Sequence, residues 1–218
     1  MKLENKKINF LGDSITEGHG TSSPDKRFSH LIAQEYHLAK ENNYGIGGTR
    51  IARQQIPSNE IWDQDYCSRV DGMDPDADIV VVFGGTNDFG HGDAPLGSFA
   101  DRTPDTFYGG CHVLMEKLIN KYPASTIVFL TPLHRCNEDN PRGDGNKASD
   151  VAPLSVYVDI IKEVARYYSL PVLDLYAESG IQPRVPVIQQ RYCPDGLHPN
   201  DAGHVILAKK IAAFLERL

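Results

Sequence analysis

The chain has 218 residues, 40% of them hydrophobic, enough to bury one core and leave room for functional loops. Its 22 basic against 29 acidic residues give a net charge of −7 with no basic run, which argues against nucleic acid as a partner and against an anionic membrane surface. No apolar segment has signal-peptide or membrane-spanning length, so the expected location is the cytoplasm, and Cys67, Cys111, Cys136 and Cys193 are too widely spaced for a C-x-x-C site and are expected as reduced, structural thiols.

Ile8–Leu11 opens the pattern as a short apolar strand. Phe28–Lys40 reads as a helix with Phe28, Leu31, Ile32 and Tyr36 on one side, and Glu41–Tyr44 as a strand from its place before a glycine-rich turn. Ile79–Phe83 is apolar on both faces, as a central parallel strand is. Pro104–Lys121 follows as a helix, with Thr103 as N-cap, Pro104 at the first helical position and Phe107, Cys111, Leu114 and Leu118 as its stripe. Thr126–Leu130 is the next strand. Asp150–Tyr168 is the next helix, with Pro153 in its first turn, and Pro171–Leu175 the last strand. A helix from about Asp201 to Leu218, capped by Asn200, closes the chain. The alternation predicts an α/β domain spanning the whole chain, a parallel sheet with helices on both faces. Three long loops, Thr86–Thr103, Thr131–Ser149 and Tyr176–Asn200, are candidates for function.

In such a sheet, ligands sit beyond the carboxyl ends of the strands. Gly12-Asp13-Ser14 follows the first strand, and Asn43-Tyr44-Gly45-Ile46-Gly47-Gly48-Thr49 comes after the second. Gly85-Thr86-Asn87-Asp88 follows the third, and Asp195-Gly196-Leu197-His198-Pro199 precedes the last helix. Each has an ordinary reading. Asp13 and Ser14 suit a helix cap, Gly47 and Gly48 a tight turn, Asn87 a cap, and Asp195 a turn with Gly196. Asp13 and Asp88 are assigned to local loop hydrogen bonds. The alternative reading is chemical. The Asp195/His198 spacing lets the carboxylate reach the imidazole and leave Nε2 to take a proton from Ser14. Gly48 and Asn87 then offer N–H donors to an oxyanion.

Taken together in this order, Gly12, Asp13, Ser14 and Gly18, then Asn43 and Gly48, then Gly85, Thr86, Asn87 and Asp88, then Asp195, His198 and Pro199 resemble the four blocks of the SGNH, or GDSL-type, hydrolases. The resemblance spans residues 12 to 199. It implies a flavodoxin-like, three-layer α/β/α fold with a five-stranded parallel sheet. It also implies Ser14 as nucleophile, His198 as general base and acid, and Asp195 as its orienter. The oxyanion hole would be built from the Ser14 and Gly48 N–H groups and the Asn87 side chain. No cofactor or metal is needed.

The polar loops around Leu133–Asn140, Pro141–Lys147 and Gly90–Asp93 point to a small-molecule ester substrate, a short acyl ester, acetyl first, of a polar or carbohydrate carrier. His134 and Arg135, just past the fourth strand, would donate to the leaving group or else form surface ion pairs. Ile181, Val185, Val187 and Ile188 would line a small acyl pocket or anchor their loop. The competing readings are a lipase or thioesterase for longer acyl chains, a metal-dependent phosphoesterase using Asp13, Asn87, Asp88, Asp195 and His198, and a non-catalytic flavodoxin-like binding module.

Overall fold

The computed structural model describes residues 1–218. Its five strands are β1 (Lys7–Gly12), β2 (Lys40–Gly45), β3 (Ile79–Phe83), β4 (Thr126–Leu130) and β5 (Val172–Leu173), all parallel, in the order β2-β1-β3-β4-β5. Its helices are α1 (Ser14–Glu17), α2 (Phe28–Glu35), α3 (Tyr66–Arg69), α4 (Thr86–Gly90), α5 (Phe107–Lys121), α6 (Leu154–Tyr167), α7 (Leu175–Glu178), α8 (Pro186–Tyr192) and α9 (Asp201–Arg217).

Strand side chains alternate between faces, so each strand feeds two cores. Ile8, Phe10, Ile79, Val81, Phe83, Val128 and Leu130 pack on one face against α2 and α9. Leu11, Val80, Val82, Ile127 and Phe129 pack on the other against α5 and α6. This is the expected three-layer α/β/α architecture. The sheet grows outward in both directions from β1, so the chain reverses between β1 and β3. A cleft opens at their carboxyl ends, and α1 and α4 begin there.

Several boundaries differ from the sequence reading. The helix expected over Phe28–Lys40 stops at Glu35. His37 takes a left-handed φ of 52°, and Lys40 is already the first residue of β2. Leu38 N–H bonds back to the Ala33 carbonyl five residues earlier and closes the helix end around left-handed His37. Helix α5 is capped by Thr106, whose Oγ1 accepts from the Gly109 N–H at 3.1 Å. Thr103 and Pro104 stay outside it, the Pro104 carbonyl accepting from Arg53 N–H at 2.7 Å. Pro153 is the residue before α6, not part of its first turn. Only Val172 and Leu173 pair with β4, because Asp174 leaves the sheet to cap α7, accepting from Ala177 N–H at 3.1 Å. The loop expected at Tyr176–Asn200 contains α8. The last helix and its Asn200 cap stand as expected, Asn200 Oδ1 accepting from Gly203 N–H at 3.1 Å.

Candidate active site

Strand β1 ends at Gly12, where any side chain would overlap the Thr16 hydroxyl and crowd the Phe83 carbonyl. The chain turns here into α1. Asp13 caps the helix, its Oδ1 accepting from Ile15 N–H at 3.0 Å, and Ser14 is the first helical residue, so its N–H has no intrahelical acceptor. Burial pushes the Asp13 carboxyl up to about 7, against the Ile15 hydrogen bond, and neighbouring Asp88 adds to the rise.

The Asp195-x-x-His198 segment makes its own turn. Asp195 Oδ1 accepts from the Leu197 and His198 N–H groups at 2.9 and 2.7 Å, and its Oδ2 lies 2.7 Å from His198 Nδ1. With Nδ1–H given to the carboxylate, Nε2 is the basic atom, and it stands 3.0 Å from Ser14 Oγ. Ser14 is 8% exposed, the His198 side chain 15% and the Asp195 side chain 53%, so the array opens to solvent at the carboxylate end. Burial lowers the His198 pKa and outweighs Asp195, which raises it; His19, its ring 4.6 Å away, and Arg135 add to the lowering. Desolvation raises the Asp195 pKa, but the hydrogen bonds from His198 and Leu197 prevail and hold it below the usual carboxylate range.

Of residues 46–49, Gly47 comes near the nucleophile, a side chain there standing 3.7 Å from Ser14 Cβ, and Ile46 N–H bonds to the Gly12 carbonyl at 3.1 Å. The Gly47 N–H is held by Glu17 Oε2 at 2.8 Å, whereas Gly48, at a φ of 76°, directs its N–H to no protein acceptor. Asn87, in the first turn of α4, donates through Nδ2 to the Thr49 carbonyl at 3.0 Å. Arg69 ties the strand ends to this loop, donating to the Gly12 carbonyl at 3.1 Å, to Thr49 Oγ1 at 2.8 Å and to the Tyr44 carbonyl. The buried Asp88 carboxylate takes the N–H groups of Ile51 and Ala52 at 3.0 and 2.8 Å, the local role expected of it.

The model of the GDSL-like lipase/acylhydrolase family matches residues 10–206, which takes in every one of these groups. The chain belongs to that family. It is 27% identical over 143 residues to a GDSL lipase of Mycobacterium tuberculosis, a match covering 66% of this chain; it spans about half (52%) of that relative's length. It superposes on a protein from Lactobacillus plantarum at a TM-score of 0.84, with 29% identity and 98% of both chains covered. Its fold also matches 49% of a two-domain esterase (CEX) active on acetylated mannans, at a TM-score of 0.65, 23% identity and 98% coverage of this chain.

Two sequence expectations are corrected in this GDSL-family chain. Arg135 does not face a leaving group. It is 3% exposed, and its guanidinium donates to the Thr86 carbonyl and Oγ1 at 3.1 and 3.2 Å, to Asn137 Oδ1 at 2.8 Å, and to Asp144. It therefore fastens the first residue of α4, next to Asn87. His134 places Nδ1 2.7 Å from Glu138 Oε2 and packs its ring on Tyr176 at 3.8 Å, and neither touches the Ser14 array. The His134 contact is a local one, to a largely buried carboxylate four residues along its own loop. Of the apolar cluster near Asp195, Ile181 is buried and anchors its loop, whereas Val185 and Val187 face solvent. The carboxylates and His198 considered as a metal site do not assemble into one: no group of three His, Cys, Asp or Glu side chains stands close enough to hold an ion. No helix is long and apolar enough to cross a membrane.

Sequence reasoning did not single out Arg69, Trp62, His91 or Lys147. Trp62 is the only tryptophan of the chain, and its indole lies over Gly48, where a side chain on Gly48 would collide with it. That singularity was the one signal available in the sequence.

Proposed function

We propose that this GDSL-family protein is a serine esterase that hydrolyses short acyl esters, acetyl first, of a small polar or carbohydrate alcohol. The observation that carries the reading is the continuous array Ser14 Oγ–His198 Nε2–Asp195 carboxylate, at 3.0 and 2.7 Å. As Ser14 Oγ attacks the ester carbonyl, its proton passes to His198 Nε2, and Asp195 stabilises the imidazolium. The oxyanion that forms faces the Ser14 and Gly48 N–H groups and an Asn87 amide proton. Collapse breaks the bond to the alkoxide, which leaves as the alcohol with the proton from His198. Water, deprotonated by the same nitrogen, attacks the acyl carbon, and the acyl–Oγ bond breaks as His198 returns that proton to Ser14 Oγ, releasing the acid. The reading of a short acyl group is supported by the polar loops around the site and by the cavity beyond α4, where Lys147, His91 and Asn146 interrupt the apolar wall.

The test is hydrolysis of p-nitrophenyl esters by wild type and Ser14→Ala. We expect kcat/KM to be highest for acetate and the variant to lose roughly 10⁴-fold in kcat without losing its fold. Wild-type-like turnover by folded Ser14→Ala would end the serine-hydrolase reading. A second reading, longer acyl chains, is favoured by the exposed Ile56, Ile61 and Trp62 on the loop beside Gly48. A maximum at octanoate or longer in the same series would establish that second reading.

A further inference from the structure

A cavity of about 670 Å³ lies beside the carboxyl end of α4, between residues 54–58, 91–96 and 146–152, and does not include Ser14 or His198. It adjoins their cleft all the same. Asn87 and His91 stand about one helical turn apart. The His91 ring, which lines the cavity, packs on Trp62 at 5.1 Å, and Trp62 covers Gly48. One aromatic ring thus separates the donors around Ser14 from the mouth of this cavity.

The floor of the cavity carries hydrogen-bonding capacity that the protein leaves unused. Lys147 is only 9% exposed, and its ammonium donates to one protein group, the Asp88 carbonyl at 2.7 Å, with no carboxylate in ion-pair range. Two of its three N–H bonds have no hydrogen-bond acceptor, and the Tyr157 ring lies 6.0 Å from the ammonium. His91 accepts at Nδ1 from Arg50 at 3.0 Å, so its proton is on Nε2, which has no protein acceptor. Burial first, and the Arg50 guanidinium next, push the His91 pKa down to about 4, so this ring is a neutral donor. Asn146 adds a free donor and acceptor on the wall, whereas Ser58 gives its N–H and hydroxyl to Asp63; Ile56, Leu96, Val151 and Tyr157 contribute apolar faces.

Such a lining suits a ligand with many hydroxyls and intervening C–H faces. A fatty acyl chain would bury the ammonium and the imidazole N–H without partners, a cost that its own apolar contacts would first have to offset. An anionic carrier meets Asp93, whose carboxylate lines the same cavity while accepting the Gln55 and Ile56 N–H groups at 2.7 and 2.8 Å. A neutral polyol offers hydroxyl donors to the acceptors and hydroxyl acceptors to Lys147 and His91.

We propose that this cavity is the subsite for the alcohol half of the substrate, and that it binds a neutral mono- or oligosaccharide. The proposal rests on acyl transfer at Ser14 and adds the identity of the leaving group.

The lone Trp62, against His91, provides the readout. Full-length Ser14→Ala is titrated with gluco-, manno-, xylo- and N-acetylglucosamine trisaccharides carrying no ester, and in parallel with octanoate, while tryptophan emission is followed. At least one saccharide is expected to give a saturable change with a Kd of about 1 mM or tighter. Adding Lys147→Met should weaken that binding about tenfold, and Asn146→Ala on the open wall about threefold, which covers the case in which the lysine variant does not fold. Saturation by octanoate alone, or by no saccharide, would overturn the proposal. In the active enzyme, Lys147→Met should lower the ratio of kcat/KM for the acetylated saccharide to that for p-nitrophenyl acetate about tenfold, chiefly through KM. An equal loss on both esters would reduce Lys147 to a support for Asp88 and also overturn it. Inability of wild type to hydrolyse p-nitrophenyl acetate would instead count against the esterase reading, leaving saccharide binding by Ser14→Ala standing.

Discussion

Burial makes the charged His198 ring costly and the Asp195 carboxylate, 2.7 Å away, makes it favourable; burial prevails and the pKa lies below the ordinary value. A base of this kind stays unprotonated further into the acid range than a free imidazole. The acid limb of kcat/KM should therefore fall at a pH below about 6.5, the ordinary value for histidine. A pH–rate profile on p-nitrophenyl acetate checks this, and a midpoint above about 7 would contradict the balance. Asn87 spends one amide proton on the Thr49 carbonyl and has the other available. If that proton meets the oxyanion, Asn87→Ala should cost roughly 10²–10³ in kcat with a smaller change in KM. A change confined to KM would make Asn87 a group that binds ground-state substrate.

The position of Ser14 depends on how α1 is wedged between strand ends. Gly45, the last residue of β2, lies so close to the backbone of Thr16 and Glu17 that a Cβ there would overlap main-chain atoms, which cannot step aside as a flexible side chain can. Gly45→Ala should cost about 1–3 kcal/mol, the usual scale of overpacking, and lower Tm by several degrees. Because α1 carries the nucleophile, kcat should fall more than the lost stability alone accounts for. Thermal unfolding and kcat of the purified variant test both parts; an unchanged Tm would show that β2 yields instead. Helix α4 is held similarly from outside, with Arg135 on Thr86 and Lys147 on Asp88.

Across the whole molecule two kinds of buried group set opposite pH slopes. His204 accepts the Phe28 N–H at Nδ1, leaves Nε2 without a protein partner, and is pushed by burial down to about 4. Between pH 4 and its unfolded value of about 6.5 the unfolded chain binds more protons at this site. Its contribution is present above that range and is lost as pH falls through it. Asp13 runs the other way. Its folded pKa is about 7 against 3.8, so in that interval the native chain holds the extra proton, and stability falls as pH rises. Asparagine caps helices as well as aspartate, so Asp13→Asn keeps the Ile15 hydrogen bond and removes the titration. The stability of Asp13→Asn relative to wild type should increase between pH 4 and 7, by on the order of 2 kcal/mol. Urea unfolding at four pH values in that range measures it, and a constant difference would show that Asp13 ionises in the folded chain as it does in water.

Much of this molecule was written locally in the sequence. The apolar runs of β1, β3 and β4, the Asn200 cap of α9 and the turn joining Asp195 to His198 involve partners no more than a few residues apart, and periodicity or spacing exposes such partners. The edge strand β2, with the polar sequence KENNYG, carries almost no such signal, and the short helices inside loops carry none. Only the tertiary structure set Ser14 against His198, 184 positions away, turned Arg135 from an expected substrate contact into a clamp on α4, packed Trp62 on His91, and put His91 and Lys147 on one cavity. Hydrophobic period and capping act over about one helical turn. The partners of a long buried side chain are chosen by packing among segments far apart in sequence, and no local pattern records that choice.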